Sequence, residues 1–349
     1  MFTKKIEAHR IKSIDAWRFI AVSLVICGHL ILATDFGKIF HHNFGPWLHR
    51  LTALGVLIFF FISGYVICNG LLVEKTKHDK IHLSAFYVRR FFRIIPALAI
   101  YLLARFALSE LNIEHITHLE LINAAFFLCN LYPYGGCESV GHLWSLAYEE
   151  QFYLVFPLIF IFLAKLKNAK LSFLIILLAM LLSSTLSYIF GYEFSGFYSS
   201  NMIFLLTGVV CALYKSELLN YTKNAHLLSW CGVALLLLVM IYVFTDEQIK
   251  FAKIWFFPFA IAYLVLTTPI KITLFKSLFE NSFICYLGRI SYTAYLWQQL
   301  ATTPVGNISV WWYPLMCIGV WLWAGISFKI IEMPLIAIGS RISNGITRR

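Results

Sequence analysis

Along most of this chain, stretches of about 20 largely apolar residues follow one another, each the length a helix needs to cross the hydrocarbon of a bilayer. Ten can be placed, near residues 14–34, 51–72, 91–109, 144–164, 171–190, 199–214, 226–244, 251–269, 283–302 and 310–331. No other feature constrains the fold as much. Inside a bilayer the backbone must satisfy its own hydrogen bonds, and a helix does so within one segment. Composition agrees: 60% of the 349 residues are hydrophobic and 13% are charged, against about 45–50% apolar and about 25% charged in soluble domains. A cytosolic enzyme, a disulfide-stapled secreted domain and a disordered chain are excluded. The expectation is an all-α integral membrane protein of about ten transmembrane helices, forming a single domain over 1–349. The stretch 119–131 is too short to span and holds Asn123 and Asn130, so it reads as a half-helix at the interface.

Orientation follows from lysine and arginine. With the N-terminus inside, the inner segments hold 20 of the 28 basic residues and the outer segments hold only Lys38, Arg50, Lys250 and Lys253. The positive-inside rule then puts both termini in the cytoplasm. The net charge of +11 is explained by orientation and needs no nucleic-acid partner. Met1–Ser13 carries Lys4, Lys5, Arg10 and Lys12 without a small-residue cleavage site after the apolar run. It therefore leads into a retained first helix. The eight cysteines show no CxxC pair and no zinc spacing; Cys129 and Cys137 pair if their loop faces an oxidising compartment. His41, His42 and His49 are assigned to a solvated outer loop, not to a metal, because no acid stands beside them at helical spacing.

Ionisable groups inside spans are costly and mark function. The first span holds Asp15, Arg18 and His29. At 100° per residue, His29 falls within about 20° of Arg18 and about 40° of Asp15, so all three share a face. Arg18 lies near the inner surface and His29 roughly 16 Å further out. A snorkelling Arg18 paired with Asp15, plus a packed His29, is the bland alternative. The fourth span opens with His142, Trp144, Ser145, Glu149 and Glu150. His142, Ser145 and Glu149 share one face, and Glu150 points about 100° away. By depth, Glu149 and His29 are able to meet. Arg89, Arg90 and Arg93 precede Pro96 at the inner mouth of the third span. Their planar forks suit phosphate, although positive-inside anchoring or anionic lipid would account for them equally. Ser63 and Gly64, inside a Phe-rich span, allow close helix approach.

Taken in order, these motifs resemble the acyltransferase-3 family of bacterial membrane O-acyltransferases. Arg18 and His29 match its basic residue, ten residues, then His. Phe59 to Tyr65 match its Phe-rich Ser-Gly stretch. Arg90-Phe91-Phe92-Arg93-Ile94-Ile95-Pro96 matches its Arg-x-x-Arg segment, and Trp144 to Tyr153 match its Trp-Ser-Leu-x-x-Glu motif. Leu287 to Tyr292 with Tyr295-Leu296-Trp297 look like its penultimate helix, and Glu332-Met333-Pro334 like its closing Glu-x-Pro. One departure is Gln298, where the family often has His.

The resemblance implies a stand-alone enzyme without an appended hydrolase-like domain, in the bacterial inner membrane. The donor would be cytoplasmic acyl-CoA, with acetyl-CoA expected. The acceptor would be a sugar hydroxyl of an extracytoplasmic or lipid-linked glycan, with O-antigen or another surface polysaccharide expected ahead of peptidoglycan. Arg90 and Arg93, with Arg89, would take donor phosphates. His29 would be general base or nucleophile, with Glu149 orienting it and Arg18 holding phosphate or countering Asp15. No metal is implied, and the oligomeric state is not legible. The rival class is a proton-coupled transporter of a glycan or lipid-linked intermediate. Such a fold usually shows paired Gly/Pro-broken helices in two halves, and none stands out here.

Overall fold

The computed structural model describes residues 12–33, 35–131, 136–166, 168–191, 193–218, 250–271, 277, 279–302 and 309–347. The described residues form helices and turns without strands. In chain order the helices are α1 (Lys12–Ala33), α2 (Asp35–His78), α3 (Leu83–Glu110), α4 (His118–Ala125), α5 (Leu143–Leu163) and α6 (Ala169–Ile189). Then come α7 (Glu193–Leu213), α8 (Lys250–Lys271), α9 (Ser282–Arg289), α10 (Ser291–Thr302), α11 (Tyr313–Ser327) and α12 (Met333–Thr347). A five-residue π turn, Phe328–Glu332, joins α11 to α12.

Six of the described helices are long and apolar enough to cross a membrane: Lys12–Ala33, Leu48–His78, Leu83–Glu110, Leu143–Leu163, Ala169–Ile189 and Tyr313–Thr347. The spans expected at 199–214 and 251–269 are present as α7 and α8, with shorter apolar stretches at Ser200–Leu213 and Ile254–Thr267. The span expected at 226–244 lies outside the described residues. The one expected at 283–302 is divided at Ile290 into α9 and α10. Asn281 starts α9 by accepting the amides of Phe283 and Ile284 at 2.8 and 3.3 Å, a side-chain N-cap.

Two further expectations are corrected. The first outer loop, with His49, is helical, because α2 runs unbroken from Asp35 to His78. Gly37, Gly45 and Pro46 are turn residues in isolation, yet here they are carried within a helix. The third span starts earlier than residue 91. α3 begins at Leu83 and carries Arg89, Arg90, Arg93 and Pro96 along its length. Of the stretch 119–131, the part up to Ala125 is helical, in the eight-residue α4.

The described helices fall into two compact units. One holds α1, α2 as far as Val66, α6 from Leu177, and α7 to α9. Its helices approach closely through glycine. A Cβ at Gly64 would strike the carbonyl of Leu205, and one at Gly208 the carbonyl of Phe61. α2 and α7 therefore meet backbone to backbone, as small residues permit in membranes. Gly288 of α9 likewise lies flat on the backbone of Asp15. The other unit holds the end of α2, α3 to α5, the start of α6, and α10 to α12. Its α12 lies along α3, with Gly339 against the ring of Phe92.

Candidate active site

α3 and α5 bring the arginine and glutamate motifs together within the second unit. Arg90 lies over the ring of Tyr153 at 4.7 Å and near that of Phe86 at 5.8 Å. Both are cation–π distances. Tyr153 in turn donates its hydroxyl to Glu149 Oε2 at 3.1 Å, and Glu149 is buried. Glu150 is the next residue. Arg90 is its strongest charged neighbour, followed by Glu149 and Arg93. Glu150 Oε1 is buried, so the wet helix mouth that adjacent carboxylates suggest is not what surrounds it.

Arg89 stands apart from its neighbours. Its guanidinium bonds Glu74 Oε2 at 2.8 Å and Ser343 Oγ at 2.6 Å. Glu74 also accepts the backbone amide of His82 at 2.9 Å. Arg89 thus ties the end of α2 and the start of α3 to α12. Of the three arginines expected to bind donor phosphate, Arg90 and Arg93 share a neighbourhood and Arg89 has structural partners of its own.

The N-terminal turn of α5 meets α10. His142, at the helix entrance, lies 3.2 Å by Nε2 from the carbonyl of Leu296. Tyr295 Oη donates to the carbonyl of His142 at 2.6 Å and contacts Ser145 Oγ at 2.6 Å. His142 and Ser145 are both buried. Trp144 packs edge-on against Tyr148. One turn beyond Tyr295, Gln298 is fully buried.

In the first unit α1 is one unbroken helix, so the shared face of Asp15, Arg18 and His29 holds. Asp15 is buried, while Arg18 and His29 are half-buried. The Arg18 guanidinium lies 5.1 Å from the ring centroid of Phe59. That gives the Phe-rich stretch one concrete task, supporting an intramembrane arginine. Ser63 and Gly64 serve the close approach of α2 to α7.

The acyltransferase domain family matches residues 11–339, nearly the whole chain. The chain belongs to the acyltransferase-3 family. Among curated relatives of this acyltransferase-3 chain is a peptidoglycan O-acetyltransferase, OatA, of Listeria monocytogenes. The two are 28% identical over 95% of this chain and 57% of the relative. A Staphylococcus aureus O-acetyltransferase OatA is 29% identical over 86% of this chain and 55% of the relative. A putative O-acetyltransferase of Staphylococcus aureus is 27% identical over 98% and 60%. The chain thus spans somewhat over half the length of these relatives. No solved structure matches.

Several buried polar contacts of this acyltransferase-3 chain escape sequence periodicity. Glu332 is buried and its carboxylate accepts from Thr293 Oγ1, with Arg93 its charged neighbour. Tyr292 Oη donates to the carbonyl of Ile94 at 3.1 Å. Nearer the α4 end of α3, Arg105 pairs with Glu114 at 3.1 Å and donates to the carbonyl of Ser139 at 2.8 Å. A buried arginine in a span is itself a signal. Its partner lies beyond the helix end, where no spacing rule points.

Proposed function

We propose that this chain is a membrane O-acetyltransferase that carries an acetyl group from a coenzyme A thioester to a sugar hydroxyl of an extracytoplasmic glycan. The observation that carries the reading is the joining of two family motifs in one packed neighbourhood. Arg90 of α3 lies over Tyr153 of α5, whose hydroxyl bonds Glu149, and Arg90 and Arg93 are charged neighbours of Glu150, beneath a family match covering 11–339. The named activity of the relatives supports acetyl as the group. It also moves the acceptor from the O-antigen expected at first towards a cell-wall glycan, since the Listeria relative is named for peptidoglycan.

In this reading Arg90 and Arg93 bind donor phosphates through their planar forks. His29 is the general base, because a neutral imidazole titrates close to working pH. Its nitrogen takes the proton of the sugar hydroxyl, and the oxygen attacks the thioester carbonyl. The C–S bond breaks, the acetyl ester forms, and the coenzyme A thiolate leaves and regains a proton. Arg18 is essential through its charge on the same helix face as His29. The positive-inside asymmetry supports a cytoplasmic donor side in a bacterial inner membrane. The disulfide between Cys129 and Cys137 supports an oxidising compartment at the α3–α5 loop.

The test is transfer of label from radiolabelled acetyl-CoA in membranes holding the protein, with peptidoglycan and polysaccharide acceptors offered side by side. Label should enter glycan with the wild type and fall by about 10²-fold or more with His29→Ala, the usual scale of general-base loss. Transfer unchanged in His29→Ala sinks the mechanism. Proton flux without any transfer would put the transporter class in its place.

A further inference from the structure

The chain between α3 and α5 is built inside out. On α4 and its C-cap, Leu119, Ile122 and Phe126 fall within about 60° of one another. All three are exposed, Phe126 at 71%. Leu128 and Leu131, beyond the helix, are exposed as well. The polar side chains turn the other way. Glu120 is buried and accepts the amide of Ser139 at 2.8 Å. Asn123 donates to the carbonyl of Gly136 at 3.1 Å. Asn130 is buried and exchanges amide bonds with Gln151 of α5 at 2.8 and 2.9 Å. Water favours the opposite arrangement, and a contiguous apolar patch marks a surface with a partner.

The backbone is closed on itself too. The amides of Leu111, Asn112 and Ile113 bond carbonyls in the last turns of α3 at 3.0–3.1 Å. Those of Phe126, Phe127 and Leu128 bond carbonyls of α4 at 2.8–3.3 Å. The chain turns through Phe127 at a φ of 56°, the left-handed region that bulky side chains rarely adopt. The carbonyl of Phe127 takes the side-chain amide of Gln151 at 2.9 Å. A loop in water has no need of such closure, whereas irregular backbone at membrane depth requires it.

Depth and continuity say what the partner is. Gln151 lies eight residues into α5, about 12 Å along the axis from Leu143 at 1.5 Å per residue. Its bonds to Phe127 and Asn130 therefore draw the chain after α4 down beside a spanning helix. On α3, Leu103 and Phe106 are exposed, and the Phe106 ring lies 6.0 Å from that of His118 at the start of α4. The lipid-facing stripe of α3 thus runs on into the apolar face of α4. That continuity favours lipid over a second copy of the chain.

We propose that residues 118–131 form a wedge set into the leaflet on the disulfide side, with the acyl chains of that leaflet as the partner of its apolar face. The inference goes beyond acetyl transfer and rests on α3 and α5 crossing the membrane.

The test is spin labelling of the full chain in phosphatidylcholine vesicles, with the disulfide intact and the unbonded thiols replaced by alanine. Single cysteines come from Ile122→Cys, Phe126→Cys and Leu131→Cys. Leu158→Cys, at an exposed position of α5, gives the value for lipid, and Lys80→Cys the value for water. Collision with oxygen, which concentrates in hydrocarbon, is compared with collision with a polar nickel chelate. The three wedge labels should match Leu158 in preferring oxygen and should lie about 5–10 Å below the lipid phosphates, the depth of interfacial helices. Each site reports by itself, so the test stands if one variant does not accumulate.

Wedge labels that meet the nickel chelate as freely as the label at Lys80 would put the segment in water, and the inference falls. Labels shielded from both reagents would mean a protein partner, and the lipid assignment falls as well. If Leu158 itself shows no preference for oxygen, α5 is not in the bilayer and the reading beneath the inference fails with it.

Discussion

Adjacent residues of identical type have different tasks here, and their partners decide which. Arg89 spends its guanidinium on Glu74 and Ser343, whereas Arg93 has Glu332 and Glu150 as charged neighbours. Arg89→Ala should therefore lower thermal stability in detergent by about 1–3 kcal/mol, the usual cost of losing hydrogen bonds to a charged group. The KM for acetyl-CoA should stay within about twofold, because no transition-state or ground-state contact is lost. Arg93→Ala should do the reverse. A second contrast concerns Tyr295. A carbonyl only accepts, so the hydroxyl of Tyr295 is committed to His142 O, and the 2.6 Å contact with Ser145 needs Ser145 as donor. Tyr295→Phe breaks both bonds in a buried place. Ser145→Ala leaves the stronger one intact. Thermal unfolding should show Tyr295→Phe as the more destabilising change, by about 1 kcal/mol or more, and the opposite order would refute the proton assignment.

At the scale of elements, the segment between α3 and α5 is a small structure in its own right. Thr117 and Glu120 form a capping box at the start of α4, the reciprocal pairing that satisfies two free amides. Glu120 also accepts the amide of Ser139 at 2.8 Å. Asn130 and Gln151 exchange side-chain amide bonds at 2.8 and 2.9 Å, and Cys129 is bonded to Cys137. Burial raises the Glu120 pKa. The amides of Ser139 and Thr117 and their hydroxyls outweigh that, so the carboxyl is held below its ordinary 4.5. A carboxyl with a depressed folded pKa adds stability that is complete above the ordinary value and is lost as pH falls through the folded one. The amide of Ser139 should thus exchange with deuterium slowly at neutral pH. Its protection should fall away below about pH 4.5 once intrinsic rates are corrected for. Glu120→Gln should flatten that dependence; an unchanged profile in the variant would assign the effect elsewhere. This segment also shows what a sequence makes legible. The half-helix is legible from the short apolar stretch, and the pairing of Cys129 with Cys137 from the cysteine positions once their loop is placed in an oxidising compartment. So are the shared face on α1 and that of His142, Ser145 and Glu149, because a helix converts sequence distance into angle. The partners of Arg93 and Arg105 do not follow. Glu332 is far away in sequence, and Glu114 lies past a helix end, so only tertiary packing joins them. The helix over 35–50 was hidden for another reason: glycine and proline suggest turns, and a membrane environment tolerates them in helices.

For the whole molecule, the proposed transfer requires that two faces of one membrane be kept apart. α3 is 28 residues long, about 42 Å at 1.5 Å per residue, enough to cross the hydrocarbon with turns to spare. Lys75, Lys77 and Lys80 precede it, and the disulfide-bonded segment follows it. In the proposed orientation its ends belong to opposite faces, basic inside and oxidised outside. The start of α11 should share the outer face, since Trp311 is 88% exposed and Trp312 57% exposed, as in an interfacial aromatic belt. A single cysteine at each place tests this in a background whose unbonded thiols are alanine. Trp311→Cys should react with an impermeant maleimide added to intact cells. Lys80→Cys, exposed in the structure, should react only after permeabilisation. The reverse pattern would turn Arg90 and Arg93 away from the cytoplasmic supply of coenzyme A thioester, and the donor assignment would fall with the topology. The expected pattern sets the donor arginines towards the supply of thioester and His29, on a helix that starts inside, towards the glycan. Acetyl would then cross the membrane as a bound thioester, with no soluble intermediate to lose on either side.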